Sequence, residues 1–179
     1  MRFALLGLAL ALAACAPEQV AETCDLTATR AIAFTPDGAQ ENVIARTIGP
    51  SCDKAIGLYV VTSEDHHPIW AWTAPMSRAF GDAYRPASPE EAQAFLDRWA
   101  QPETGATGAA PAWTALADDP REARTTLDQL TYEDIRARDL PMLCHVTGVA
   151  RETCVFWEPG AAAASSYLER DVAAAGETP

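Results

Sequence analysis

The sequence predicts an α+β fold with a mainly antiparallel sheet. Three observations support this class: β-type alternation between residues 28 and 73, a capped helical pattern over residues 89–100, and two strand-like runs near the C-terminus. Strands that come in groups, with helices between the groups, are typical of α+β proteins. No internal repeat is present, and the length of 179 residues suits one domain.

The N-terminal half predicts a four-stranded antiparallel meander. Apolar residues alternate with polar ones, and turn residues such as Pro36-Asp37-Gly38 separate the runs. The predicted strands are 28–35, 42–48, 56–62 and 69–73. The last two strands are apolar on both faces, which predicts a hairpin covered on both sides.

Helical and strand signals are mixed in the C-terminal half. Ser88-Pro89-Glu90-Glu91 is a capping sequence, so a helix is predicted over 89–100, followed by a loop over 101–111. Thr131 is interpreted as the cap of a second short helix. The remaining predictions are strands at 142–146 and 153–157, a possible terminal helix over 161–174 on alanine propensity, and a flexible tail at 176–179.

The N-terminus has the order of a secretory signal. Met1-Arg2 precedes an apolar run that ends in Leu12-Ala13-Ala14-Cys15. This ending resembles the lipobox of bacterial lipoproteins. An ordinary signal peptide that contains a cysteine and a short transmembrane anchor are the alternatives, but the run is short for a bilayer span.

The lipobox resemblance implies a processed and lipidated chain. Residues 1–14 would be a signal peptide, Cys15 would carry the acyl chains, and 15–23 would be the lipidated cysteine and its tether. A single α+β domain would then cover 24–175. The resemblance implies the periplasmic face of the cell envelope. It favours the outer over the inner membrane, because Ala16 stands where inner-membrane lipoproteins tend to have Asp.

Four cysteines remain when Cys15 is set aside, and none belongs to a CxxC pair. An even number in an oxidising compartment indicates structural disulfides. Of the three possible connectivities we predict Cys24–Cys52 and Cys144–Cys154, because a hairpin centred on Val149 places Cys144 opposite Cys154.

The charge balance restricts the partners. Thirteen basic and 25 acidic side chains give a net charge of −12, which argues against nucleic acid and against electrostatic docking on anionic lipid. Attachment of the protein to a membrane would therefore depend on acyl chains on Cys15. A basic envelope protein or a small ligand is the expected partner, and no cofactor is predicted.

Candidate site residues are few, and each has a structural alternative. His66 and His67 could bind a metal or form a polar turn; Trp70 and Trp72 could form a binding platform or the core. A nucleophilic pair of Cys144 and His145 would require a free thiol. Strand geometry also disfavours contact between the two, because consecutive side chains of a strand point to opposite faces.

Three acidic pairs, Glu90-Glu91, Asp118-Asp119 and Glu133-Asp134, are explained by capping and a turn. No catalytic or metal residue is assigned. The sequence favours a non-enzymatic binding domain. The alternative is a small hydrolase or metal-binding protein that uses His145 or His66 and His67.

Overall fold

The computed structural model describes residues 23–118 and 123–172. Within these ranges the chain forms two antiparallel sheets and four short α-helices, so the α+β class is confirmed. The first sheet has the order β1-β2-β3-β4 and the second the order β5-β7-β8-β9-β6. The predicted signal peptide 1–14, the proposed lipid site Cys15 and the tail 176–179 lie outside the described residues.

The first sheet is the predicted meander. Its strands are β1 (Cys24–Ile32), β2 (Glu41–Gly49), β3 (Ile56–Thr62) and β4 (Pro68–Pro75). The strand β3 has the predicted bounds, whereas β1 begins at Cys24 instead of Ala28 because its pairing with β2 extends to Cys24 opposite Gly49.

Only one face of this sheet is fully covered among the described residues. Val43, Tyr59 and Val61 point inward and are completely buried. On the other face Ile56 is 49% exposed and Leu58 is partly exposed. The prediction that both faces of the β3–β4 hairpin are covered is therefore wrong, because the second sheet packs on the inner face alone.

The helices are α1 (Met76–Phe80), α2 (Pro89–Trp99), α3 (Trp113–Asp118) and α4 (Gln129–Ala137). The predicted α2 is confirmed with its cap, since Ser88 Oγ accepts a hydrogen bond from the Glu91 amide at 3.3 Å. The helices α1 and α3 were not predicted.

The start of α4 differs from the prediction. Asp128 caps the helix by accepting from the Thr131 amide at 3.0 Å, so Thr131 lies inside the first turn and is not the cap. Glu133 and Asp134 consequently lie beyond that turn, and capping does not explain them. Glu133 instead accepts from the Trp113 amide at 2.8 Å, which joins α4 to α3.

The second sheet contains β5 (Glu103–Ala106), β6 (Ala123–Arg124), β7 (Pro141–Gly148), β8 (Arg151–Glu158) and β9 (Ala163–Asp171). The β7–β8 hairpin was predicted. The loop predicted over 101–111 contains β5, because it pairs with β7. The terminal helix predicted over 161–174 is wrong, since β9 pairs along the whole of β8 and buries Tyr167 and Leu168.

The second sheet is the central layer of the fold. From one side, Leu143 and Val155 join the core formed with the first sheet, α1 and α2. From the other side, Met142 and Phe156 join a second core beneath α3 and α4. The order of layers is therefore sheet, sheet and helices, and the central strands are buried on both faces.

Both predicted disulfides are present. Cys24 is bonded to Cys52 with a Cα–Cα distance of 4.9 Å, and Cys144 to Cys154 with 3.9 Å. Cys144 and Cys154 are register partners in the β7–β8 hairpin, as the sequence predicted. Within the described ranges, none of the helices has the length and apolar character of a bilayer span.

Candidate binding clefts

Clefts lie along the helix α2 and the loop before it. One lies at the C-terminal end of α2, has a volume of about 300 Å³ and is called the Arg98 cleft. Its lining residues are Phe80, Ala83, Phe95, Arg98, Trp99, Val146, Gly148 and Val149.

The Arg98 cleft forms where the tip of the β7–β8 hairpin approaches α1 and α2. Trp99 Nε1 donates to the Val146 carbonyl at 2.7 Å, which fixes α2 against β7. Gly148 permits a close approach, because a Cβ there would lie 3.3 Å from the carbonyl oxygen of Ala79. The hairpin tip therefore packs against α1. Val149, at this tip, is 67% exposed and lies beside the cleft.

Packed aromatic rings form the floor of the Arg98 cleft. The ring of Phe80 lies 5.0 Å from Phe95 and 5.6 Å from Trp99 between centroids, in edge-on geometry. Trp72 contacts Trp99 in the same way at 5.7 Å. Such edge-on pairs stabilise a fixed arrangement of rings, so the floor is apolar and preformed.

Of the residues described in the structure, Arg98 is the single charged one that lines this cleft. Among the described residues, no carboxylate lies within 4.0 Å of its guanidinium group, whereas Arg85 on the adjacent loop pairs with Asp82 at 3.0 Å. The cleft therefore combines an apolar floor with one positive charge that has no acidic partner there.

A second and larger cleft, of about 520 Å³, lies beside the first disulfide and is called the anchor-side cleft. Its lining residues are Thr23, Cys24, Leu26, Pro50, Ser51, Cys52, Asp53, Pro86, Ala87, Ser88 and Pro89. The first two of these open the described part of the chain. The cleft is therefore located where the chain enters the described part of the fold.

His145 lies in the core between the sheets. It is 1% exposed, stacks on Tyr59 with ring centroids 4.1 Å apart, and accepts a hydrogen bond at Nε2 from Trp70 Nε1 at 3.1 Å. Burial lowers the pKa of His145 to about 3, so its ring is neutral near pH 7. His145 lines neither the Arg98 cleft nor the anchor-side cleft.

The candidate tryptophans pack around this histidine. Trp70 and Trp72 lie on the inward face of β4, with centroids 6.3 and 6.1 Å from the His145 ring. Both are partly buried and belong to the core between the sheets. Their position agrees with the core interpretation and gives no open aromatic platform.

His66 and His67 lie in the exposed turn between β3 and β4. The amide of His66 donates to the Ser63 carbonyl at 3.0 Å, and His66 has a positive φ of 62°. Within residues 23–118 and 123–172, one group of three potential metal ligands lies within 4.8 Å, namely Cys144, Glu152 and Cys154. Its two sulfurs are joined in the disulfide, so the thiolate needed for metal binding or nucleophilic attack is absent from this group.

Sequence reasoning did not identify the Arg98 cleft. The sequence predicts a helix over 89–100 and a hairpin centred on Val149, but no pattern places the two together. The one signal in the sequence is Arg98, a charged residue next to Trp99 on the core-facing side of the predicted helix. That signal is common on surface helices.

No family model matches this chain, and neither the curated proteins nor the solved structures include a significant match. In the described residues, the Arg98 cleft and the anchor-side cleft lie along α2 and its preceding loop, and the candidate histidines line neither of them.

Proposed function

We propose that this chain is a lipid-anchored protein of the bacterial cell envelope whose domain acts by binding a ligand. The observation that carries the proposal is the position of the anchor-side cleft, which is lined by Thr23 and Cys24. In the lipoprotein interpretation the eight residues from Ala16 to Thr23 form the tether. Extended, they would reach roughly 25–30 Å, which keeps the cleft near the membrane surface.

The anchor would be acyl chains on Cys15. Two or three chains hold a protein firmly on a membrane, so no spanning helix is needed. The two disulfides suit an oxidising compartment such as the periplasm. The residue after the proposed lipid site is Ala16, which favours the outer membrane over the inner one.

The ligand can be of two kinds. A net charge of −12 would steer a basic envelope protein toward the surface as a whole. A small ligand would use the clefts along α2. We favour the small ligand, because the anchor-side cleft has a volume of about 520 Å³, within the range of ligand pockets.

Metabolic labelling and membrane fractionation test the anchor. The wild-type chain is expected to incorporate labelled palmitate and to sediment with outer membranes, while Cys15→Ser incorporates none and loses membrane retention. Ala16→Asp is the matched control: it keeps the lipid and moves the protein to the inner membrane. A mature chain that begins after a different residue and carries no lipid would contradict the anchor.

Complementation of a strain that lacks this protein tests the binding role. Ala87→Trp fills the anchor-side cleft from an exposed position and is expected to remove function. Ala115→Trp adds the same ring at an exposed position on α3 and is expected to complement fully. His66→Ala and His67→Ala are expected to complement as well. Loss of function in a histidine variant that still folds would contradict a role by binding alone.

A further inference from the structure

We propose that the Arg98 cleft binds a small organic acid with one carboxylate and a compact apolar body. This inference rests on the proposed binding function and assigns a class of ligand to a cleft that is separate from the anchor-side cleft. Three features of the cleft support it: its volume, its aromatic floor and its single charge. Each feature limits the ligand in a different way.

The volume of the cleft limits the size of the ligand. A space of about 300 Å³ lies at the lower end of the range for ligand pockets. A monocarboxylic acid with a phenyl ring or a short alkyl chain fits within this space.

The aromatic floor requires an apolar body. The rings of Phe80, Phe95 and Trp99 hold one another in place, and Trp99 Nε1 already donates to the Val146 carbonyl. The indole therefore has no hydrogen to offer a polar ligand group. Phe80 is 2% and Trp99 5% exposed, so the apolar surface that a ligand ring or alkyl chain would cover belongs mainly to the partly exposed Phe95 and to Val149, which is 67% exposed.

The charge of Arg98 selects an acid. A guanidinium group forms two parallel hydrogen bonds with a carboxylate, and an arginine without an acidic partner is free to do so. The protein as a whole has a net charge of −12, so an anion is repelled over most of the surface. Asp82 and Glu91 line the adjoining cleft on the other side of Arg98, whereas the Arg98 cleft itself places the guanidinium group next to an apolar surface. This is the combination that an amphipathic acid needs.

Fluorine NMR titration of the full chain in lipid nanodiscs tests this inference with two probes of equal size. The probes are 4-fluorophenylacetate and its uncharged isostere 4-fluorophenylacetamide, and empty nanodiscs give the background. The acid is expected to bind with a Kd of about 0.1 to 1 mM, as a ligand of this size allows. The amide is expected to bind about tenfold more weakly, because it lacks the charged hydrogen bonds.

Variants assign the binding to the cleft. Arg98→Gln is expected to weaken the acid about tenfold and to leave the amide unchanged. Arg78→Gln is the matched control, because this exposed arginine of α1 does not line the cleft and loses the same charge. Val149→Glu places a negative charge at the exposed hairpin tip and is expected to weaken the acid at least as much as Arg98→Gln does.

Three results would overturn the inference: equal affinity for acid and amide, equal effects of Arg98→Gln and Arg78→Gln, or no saturable binding of the acid above the empty nanodiscs. None of them bears on palmitate labelling at Cys15 or on the expected failure of Ala87→Trp to complement. A failure of the ligand class is thus distinguishable from a failure of the proposed function.

Discussion

Mild acid is expected to destabilise this fold through His145. The ring is 1% exposed and its pKa in the native state is lowered to about 3 by burial, against 6.5 for an unperturbed histidine. Below pH 6.5 the unfolded chain therefore binds a proton that the native chain does not bind. Stability falls as the pH falls through this window, because protons favour the unfolded state.

The size of the effect follows from proton linkage. Between pH 7.5 and 5.0 the native ring stays neutral, and the histidine of the unfolded chain becomes almost fully protonated. The loss in the free energy of unfolding is about 2 kcal/mol. Tyr59, which stacks on the ring, adds nothing in this range, because burial raises its pKa further above neutrality.

Urea denaturation at the two pH values measures this loss. His145→Gln removes the titrating ring and keeps an acceptor for Trp70 Nε1, so its stability is expected to change about 2 kcal/mol less between pH 7.5 and 5.0. The double variant of the exposed residues His66→Ala and His67→Ala is the control and is expected to retain the wild-type loss. If His145→Gln loses as much stability as the wild type, the assignment to His145 is refuted.

Two further predictions concern the first sheet. Replacing Cys24 and Cys52 together by alanine is expected to lower the free energy of unfolding by about 3.6 kcal/mol, since the disulfide closes a loop with a sequence separation of 28. Denaturant titration of this variant with the Cys144–Cys154 disulfide intact measures the loss. An unchanged midpoint of unfolding would contradict the prediction. Gly57→Ala would place its Cβ against Met76 Sδ in the core, so a loss of about 1–3 kcal/mol is expected. Thermal melting measures this loss, and Gly105→Ala is the control, because its added Cβ would meet nothing within 4 Å. Equal losses of stability in the two variants would argue against overpacking.

Local patterns were sufficient for the elements that pair with their neighbours in sequence. The meander and the β7–β8 hairpin follow from alternation and turns, and the pairing of Cys144 with Cys154 follows from the register of the hairpin. The helix α2 follows from its cap at Ser88. In each case the residues that decide the structure lie within one element or one turn.

Elements that depend on distant partners were missed or misassigned. The alanines before Tyr167 predict a helix, but helix propensity is worth less than 1 kcal/mol per residue, and pairing along β8 outweighs it. The strand β5 is recognisable only through its pairing with β7, as Glu103 lies opposite Cys144. The Arg98 cleft is of the same kind, because α1, α2 and the hairpin tip meet there from three parts of the chain.

The first disulfide has a mechanical consequence. The strand β1 is at the edge of its sheet, so a force on the chain before residue 24 would peel it away from β2 one hydrogen bond at a time. Cys24 stands at the first position of this strand and is covalently joined to Cys52, just past the end of β2. The pull therefore passes directly to Cys52, and the hydrogen bonds between β1 and β2 carry little of the load.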